Sequence, residues 1–113
     1  MKVNTKSKYL SKKTIIDNII FASKKEANRY LELKLLERVG KIKNLELQPV
    51  FELQPTFKKN GKTYRAIKYM ADFKYNEINK IVIEDTKGFK NKVYLLKRKL
   101  FEYKYPDLTI IEI

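Results

Sequence analysis

Two hydrophobic periods divide this chain. From Ser23 the apolar positions fall at helical spacing, with Ala27, Tyr30, Leu31, Leu35 and Val39 on the expected inner side. The run opens on SKKE, which places Ser23 at the N-cap and Glu26 three residues on, the spacing of a capping box; Gly40 supplies the stop. The period then drops to two. Leu45 to Leu53 reads as a strand favouring one face through Leu45, Leu47, Phe51 and Leu53, and Pro49 makes it an edge strand or an interrupted one. Asn60-Gly61 marks a turn, Thr63 to Tyr75 alternates as one long strand, Asn76 to Asn79 turns, and Lys80 to Lys87 forms the next strand. A second helix spans about Asn91 to Tyr103, with Val93, Leu96 and Leu100 inward. Leu108 to Ile113 closes the chain as a mostly apolar, interior strand. Helix, three strands, helix, strand predicts an α/β fold with a mixed central sheet.

Composition narrows the chemistry. The chain has 113 residues, enough for one modest core. We expect a single domain over residues 21–113, preceded by a basic N-terminal arm over 1–20 whose first thirteen residues hold five lysines and no acid. No apolar run approaches a membrane span and no signal peptide is recognisable, so a cytoplasmic protein without membrane contact is expected. Cysteine and histidine are both absent, which excludes thiol chemistry, disulfides, imidazole bases and histidine-based zinc sites. Acid–base or metal chemistry must rest on Asp, Glu, Lys or Tyr. The net charge of +13 suits a polyanionic partner, with nucleic acid foremost. A lysine-rich surface without a specific partner is the bland alternative.

Within this basic chain, the stretch IVIEDTKGF, Ile81 to Phe89, carries two adjacent acids and a lysine at the mouth of an apolar strand. Alternation puts Ile81, Ile83, Asp85 and Lys87 on one face and Val82, Glu84 and Thr86 on the other. If the preceding turn is centred between Glu77 and Ile78, Asp72 opposes Ile83 and lies diagonally across from Asp85, about 7–8 Å away between backbones. A slip of one residue would send Asp72 to the opposite face. Two carboxylates and a lysine suit a hard cation, Mg²⁺ or Mn²⁺, which takes oxygen ligands and bridges carboxylates to phosphate. An exposed strand end paired with surface lysines accounts for Glu84 and Asp85 equally well, and Glu26 is explained by the capping box. Gly88 is a turn residue on either account.

These pieces resemble the PD-(D/E)XK nuclease superfamily. They are similar in particular to a phage-borne family placed there and long labelled only as a domain of unknown function. FASKKEANRYLELKLLERVGKIKNLELQPVFEL, IKYMADFKY, IVIEDTKGF and YLLKRKLFEY carry the resemblance in that order across residues 21–103. It implies an αβββαβ, restriction-endonuclease-like core. Asp72 corresponds to the first motif acid, Asp85-Thr86-Lys87 to the (D/E)-x-K element, and Glu26 to the first-helix acid that archaeal-type Holliday-junction resolvases carry. The implied catalytic set is Glu26, Asp72, Asp85 and Lys87, with Asp72, Asp85 and Glu26 as ligands to Mg²⁺ or Mn²⁺. Lys24, Lys25, Lys97 and Lys99 are the implied nucleic-acid contacts. Two departures stand out: Ala71 replaces the proline before the first acid, and Asp85 replaces the commoner Glu, which leaves Glu84 as a rival ligand.

The function so implied is a metal-dependent endonuclease acting on DNA, with branched structures such as Holliday junctions as substrate. A homodimer and a phage or prophage origin, in the bacterial host cytoplasm, go with it; no nucleotide cofactor does. A non-catalytic nucleic-acid-binding module on a nuclease scaffold is the alternative, and a structural or host-interaction protein is a third.

Overall fold

A computed structural model describes residues 13–87 and 89–113. They fall into two compact units divided after Lys41. Most of the basic arm, residues 1–12, lies outside the described residues, as does Gly88.

The first unit begins with a hairpin of β1 (Thr14–Ile16) and β2 (Ile19–Phe21), paired Ile16 to Ile19 across Asp17-Asn18. Both turn residues hold positive φ, 54° and 64°, a conformation Asp and Asn tolerate better than other non-glycine residues. Residues 14–20, expected within the arm, are therefore mostly strand. Helix α1 (Lys24–Arg38) follows, its N-cap Ser23 accepting from the Glu26 backbone at 3.0 Å, as the capping spacing predicts. Tyr30 joins helix to hairpin: its hydroxyl donates to Asp17 at 2.9 Å and its ring lies 5.0 Å from that of Phe21. The buried stripe of α1 is Glu26, Ala27, Tyr30 and Leu33. Leu31, Leu35 and Val39, expected inside, are exposed. The helix carries leucines around most of its circumference, so leucine spacing alone does not fix its phase.

In the second unit, the expected Leu45–Leu53 strand divides into β3 (Lys43–Leu47) and β4 (Val50–Gln54). The break is at Gln48-Pro49, where Gln48 takes a positive φ and Pro49 has no N–H for a ladder. The expected long strand Thr63–Tyr75 is three strands: after β5 (Phe57–Lys59) come β6 (Lys62–Tyr64), β7 (Ile67–Met70) and β8 (Phe73–Glu77). β5 and β6 pair across Asn60-Gly61, the expected turn. β4 pairs with β7, and β8 continues into β9 (Lys80–Asp85), then helix α2 (Lys92–Lys104) and β10 (Ile110–Glu112). The larger sheet has the order β10-β9-β8-β3, with β10 parallel to β9 and the other pairs antiparallel. It is a mixed sheet in an α/β fold, as expected. β10, expected inside, is an edge strand among the described residues: Ile110 is buried but Ile111 is exposed.

α2 packs on β4 and β7 over a core of Phe51, Leu53, Tyr69, Ala71, Ile83, Tyr94, Phe101 and Ile110. Its inward stripe is aromatic: Tyr94, Phe101 and, past the helix end, Tyr105 at part burial. Phe101 meets Phe51 edge-on at 5.1 Å and Tyr69 at 5.7 Å between centroids, geometry that favours aromatic pairs. Of the residues expected inside, Leu100 packs partly against this core, while Val93 and Leu96 are exposed. Among the described residues no helix is long and apolar enough to cross a membrane.

The aromatic stripe makes a measurable distinction. Phe101→Ala should cost about 3–5 kcal/mol in urea unfolding, the range for emptying a fully buried aromatic site. Val93→Ala and Leu96→Ala should each stay within about 1 kcal/mol. A larger loss from either aliphatic substitution would contradict the observed phase of α2.

Candidate active site

The site begins where the chain changes partners. Met70 ends the pairing of β7 with β4, and Phe73 begins the pairing of β8 with β3 and β9. Asp72 sits in the gap. Its N–H donates to Glu84 O at 3.1 Å and its carbonyl accepts from Gln48 N at 2.9 Å, so the backbone is held from both sides. Ala71, just before it, donates its N–H to Pro49 O at 3.1 Å. A proline at 71 would delete that donor.

The β8–β9 turn lies at Ile78-Asn79, with Glu77 opposite Lys80 and Phe73 opposite Glu84. That moves the register two residues from the one expected. A shift of two preserves side-chain parity, so Asp72 stays on the Asp85 face and moves from a diagonal place to one beside it. Thr86 clamps it: the Thr86 N–H and Oγ1 both donate to Asp72 Oδ2 at 2.7 Å.

Asp85 ends β9, 2% exposed. Its Oδ2 accepts from the Tyr69 hydroxyl, and its Oδ1 lies 3.8 Å from Lys87 Nζ. Burial pushes the Asp85 carboxyl up to about 6; the Tyr69 hydrogen bond opposes this, the Asp72 charge adds to it, and Lys87 opposes it. Tyr69 itself is held well above the usual phenol range, first by burial and then by its bond to Asp85. It therefore stays a donor. Glu84 turns the other way and accepts from Tyr75 on the opposite face, so parity separates the two acids as the alternation predicts.

Lys87 lies 4.8 Å over the centroid of the Tyr94 ring, a cation–π placement that keeps the ammonium beside Asp85. Tyr94 in turn donates to Glu112 Oε2 at 2.7 Å, and Glu112 also pairs with Arg98 at 2.7 Å and Lys90 at 2.8 Å. Glu112 stands beside Asp85 on the parallel strand. Its hydrogen bonds to Lys90 and Tyr94 hold its carboxyl well below the usual range, at about 2. An open cleft of about 280 Å³ adjoins this group, lined by Tyr69, Met70, Lys87, Asn91, Val93, Tyr94 and Lys97.

Asp72, Asp85 and Lys87 are thus brought together, with Lys97 on the same cleft. Lys99, two residues on and about 200° round the helix, is exposed and does not line it. Glu26, Lys24 and Lys25 belong to the first unit, in the first turn of α1; Glu26 is buried and both lysines are exposed. Tyr69, Thr86, Tyr94 and Glu112 were not expected. Thr86 was legible as the middle of Asp85-Thr86-Lys87, whereas the tyrosines and Glu112 reach the site only through pairing of distant segments.

A family model covering residues 6–113 matches the chain. The chain belongs to the DUF1064 family. That family is described as proteins of unknown function. No curated protein and no solved structure matches this DUF1064 member.

The site has the donors a hard cation needs, in part. Among the described residues there is no cluster of three or more acidic side chains able to hold a metal. Asp72 and Asp85 are a pair, each with one oxygen accepting from a protein donor, and the other Asp85 oxygen faces Lys87 at 3.8 Å. Mg²⁺ is commonly held by one or two carboxylates, completing its shell with water and phosphate, so a carboxylate pair of this kind fits it.

The raised Asp85 carboxyl also makes a stability statement. Between about pH 4 and 6 the native state binds the proton more tightly than the unfolded chain, so stability from this group falls as pH rises and stays low above 6. Asp85→Asn removes the buried charge and keeps an acceptor for Tyr69. It should stabilise the fold at pH 8 by at most about 3 kcal/mol, with the difference shrinking towards pH 4. Urea unfolding across that range checks it; an Asn variant less stable than wild type at pH 8 would reverse the sign.

Proposed function

We propose that this protein is a metal-dependent endodeoxyribonuclease that hydrolyses phosphodiester bonds, selective for branched DNA such as Holliday junctions. One observation carries the proposal. A buried carboxylate, Asp85, lies beside a second, Asp72, with an ammonium 3.8 Å away and an open cleft adjoining. A chain of net charge +13 has many easier ways to neutralise a carboxylate than burying it next to another. Such a pair suits a hard cation and a phosphate better than it suits folding.

The sequence resemblance to PD-(D/E)XK nucleases supports the same reading. So does the succession α1, β3, β8, β9, α2, β10, which agrees with an αβββαβ, restriction-endonuclease-like core, residues 48–72 forming an excursion between its first and second strands.

Asp72 and Asp85 would hold Mg²⁺ or Mn²⁺. Bound there, the ion supplies Lewis-acid polarisation of a phosphoryl oxygen and acidifies water. The chain's own residues do the rest. Thr86 fixes the rotamer of Asp72, and Tyr69 orients Asp85 while remaining protonated. Lys87, held by Asp85 and the Tyr94 face, places a positive charge where negative charge develops on a phosphate in the cleft. Lys97 offers a backbone contact on the same wall. Symmetric cuts in a junction call for two such sites, and hence a homodimer.

Wild type should cut junction or flap DNA with Mg²⁺ or Mn²⁺ and not with EDTA. Asp85→Ala and Lys87→Ala should each lose at least about 100-fold in single-turnover rate, the scale of losing one charge-stabilising group. Glu84→Ala, on the opposite face, should lose far less. Glu26→Gln keeps the backbone capping bond and should slow cleavage if this acid serves the chemistry as well as the cap. DNA binding without cleavage of junction, flap, duplex or single strand would leave a binding module instead.

A further inference from the structure

The excursion between β4 and β7 ends in a feature that the cleft does not use. Residues 54–65 are all exposed, and within them β5 and β6 form a two-stranded ribbon with solvent on both faces. Ribbons of this kind are marginal in water without a third strand or a helix to cover them. This one is built to hold its shape alone. Asn60 and Gly61 take φ of 52° and 74°, the left-handed pair of a tight hairpin turn. Phe57 and Tyr64, directly paired, stack at 4.9 Å and 12°. Thr56 Oγ1 closes the base by accepting from Ala66 N at 3.0 Å.

Its charge is one-sided. Between Glu52 and Asp72 the chain has five basic residues, Lys58, Lys59, Lys62, Arg65 and Lys68, and no acid. Lys59 stands directly opposite Lys62, an arrangement that destabilises a sheet. Alternation puts Lys58 on the other face of the ribbon. A ribbon that has no core to cover, and that places Lys59 opposite Lys62 at its tip with the Lys62 ammonium 5.2 Å over the Tyr64 ring, is arranged for an anion outside the protein.

We propose that the β5–β6 ribbon binds double-stranded DNA by entering the major groove, its lysines taking phosphates on the two groove walls. Three residues on each arm reach about 10 Å at about 3.3 Å per residue. The groove is about 12 Å wide and 8.5 Å deep, and it admits a two-stranded ribbon. This inference shares the DNA partner with the nuclease proposal and needs no cleavage.

The test is fluorescence anisotropy of full-length protein with a labelled 30-base-pair duplex, in EDTA, over a salt series. Lys58→Gln/Lys59→Gln/Lys62→Gln should bind at least about tenfold more weakly at 0.1 M salt. Its slope of log K against log salt should fall by about 2–3, at about 0.9 for each phosphate that no longer meets an ammonium. Lys41→Gln/Lys43→Gln/Lys80→Gln removes the same charge from other exposed positions and should lose much less of both. A urea midpoint for the ribbon triple equal to or above that of wild type confirms that the fold is kept. Equal losses from both triples would overturn the proposal, reducing the ribbon to a share of net charge. So would a ribbon triple that binds like wild type, or equally tight ribbon-dependent binding of poly-glutamate. A protein that cuts DNA while its ribbon triple binds normally retains the nuclease proposal and loses this one. A protein that never cuts, yet loses binding with the ribbon triple, does the reverse.

Discussion

The second unit depends on the point where one stretch of chain stops pairing with β4 and starts pairing with β8's neighbours. Two residues, Ala71 and Asp72, make that change, and three backbone hydrogen bonds to Pro49, Gln48 and Glu84 hold them there. Because those partners come from β3's exit and from β9, the two sheet segments cannot shift independently. Asp72 takes its position from this junction rather than from a regular ladder. Its side chain can then be fixed by a single neighbour, Thr86.

Around this junction the polar groups divide the burden by type. Two of the buried carboxylates accept from tyrosine hydroxyls, Asp85 from Tyr69 and Glu84 from Tyr75. Tyrosine suits the role in a chain without histidine; burial holds Tyr69 well above the usual phenol range and keeps it a donor. Glu112, by contrast, lies among two cations and a tyrosine and stays ionised. One acid is thus held charged by partners while Asp85, beside it, is only partly neutralised.

Much of this was legible from residue spacing. The capping spacing at Ser23, the break at Pro49, the Asn60-Gly61 turn, both helices and the opposite facing of Glu84 and Asp85 all follow from local rules. The errors share a cause. Leu31, Leu35, Val39, Val93 and Leu96 look inward because aliphatic side chains at helical spacing usually are, yet each helix has two apolar stripes. The buried one of α2 is aromatic, and only tertiary packing selects it. The Thr63–Tyr75 run reads as one strand because Ile67, Tyr69, Ala71, Phe73 and Tyr75 fall on one parity, which the change of pairing partner at Ala71-Asp72 does not break. Asp17-Asn18 did carry a signal, two turn-tolerant residues between isoleucine pairs, which the basic character of the arm obscured.

The opposite facing of Glu84 and Asp85 has a consequence for how the site is reached during folding. Each acid finds a tyrosine only on its own side of the sheet. A strand slipped by one residue would exchange the two sides, burying Asp85 without Tyr69 and separating Asp72 from its neighbour. Such a slip also takes Ile83 out of the core it shares with Tyr69, Phe101 and Ile110. The parity of β9 therefore decides which of the two acids stands on the Asp72 side.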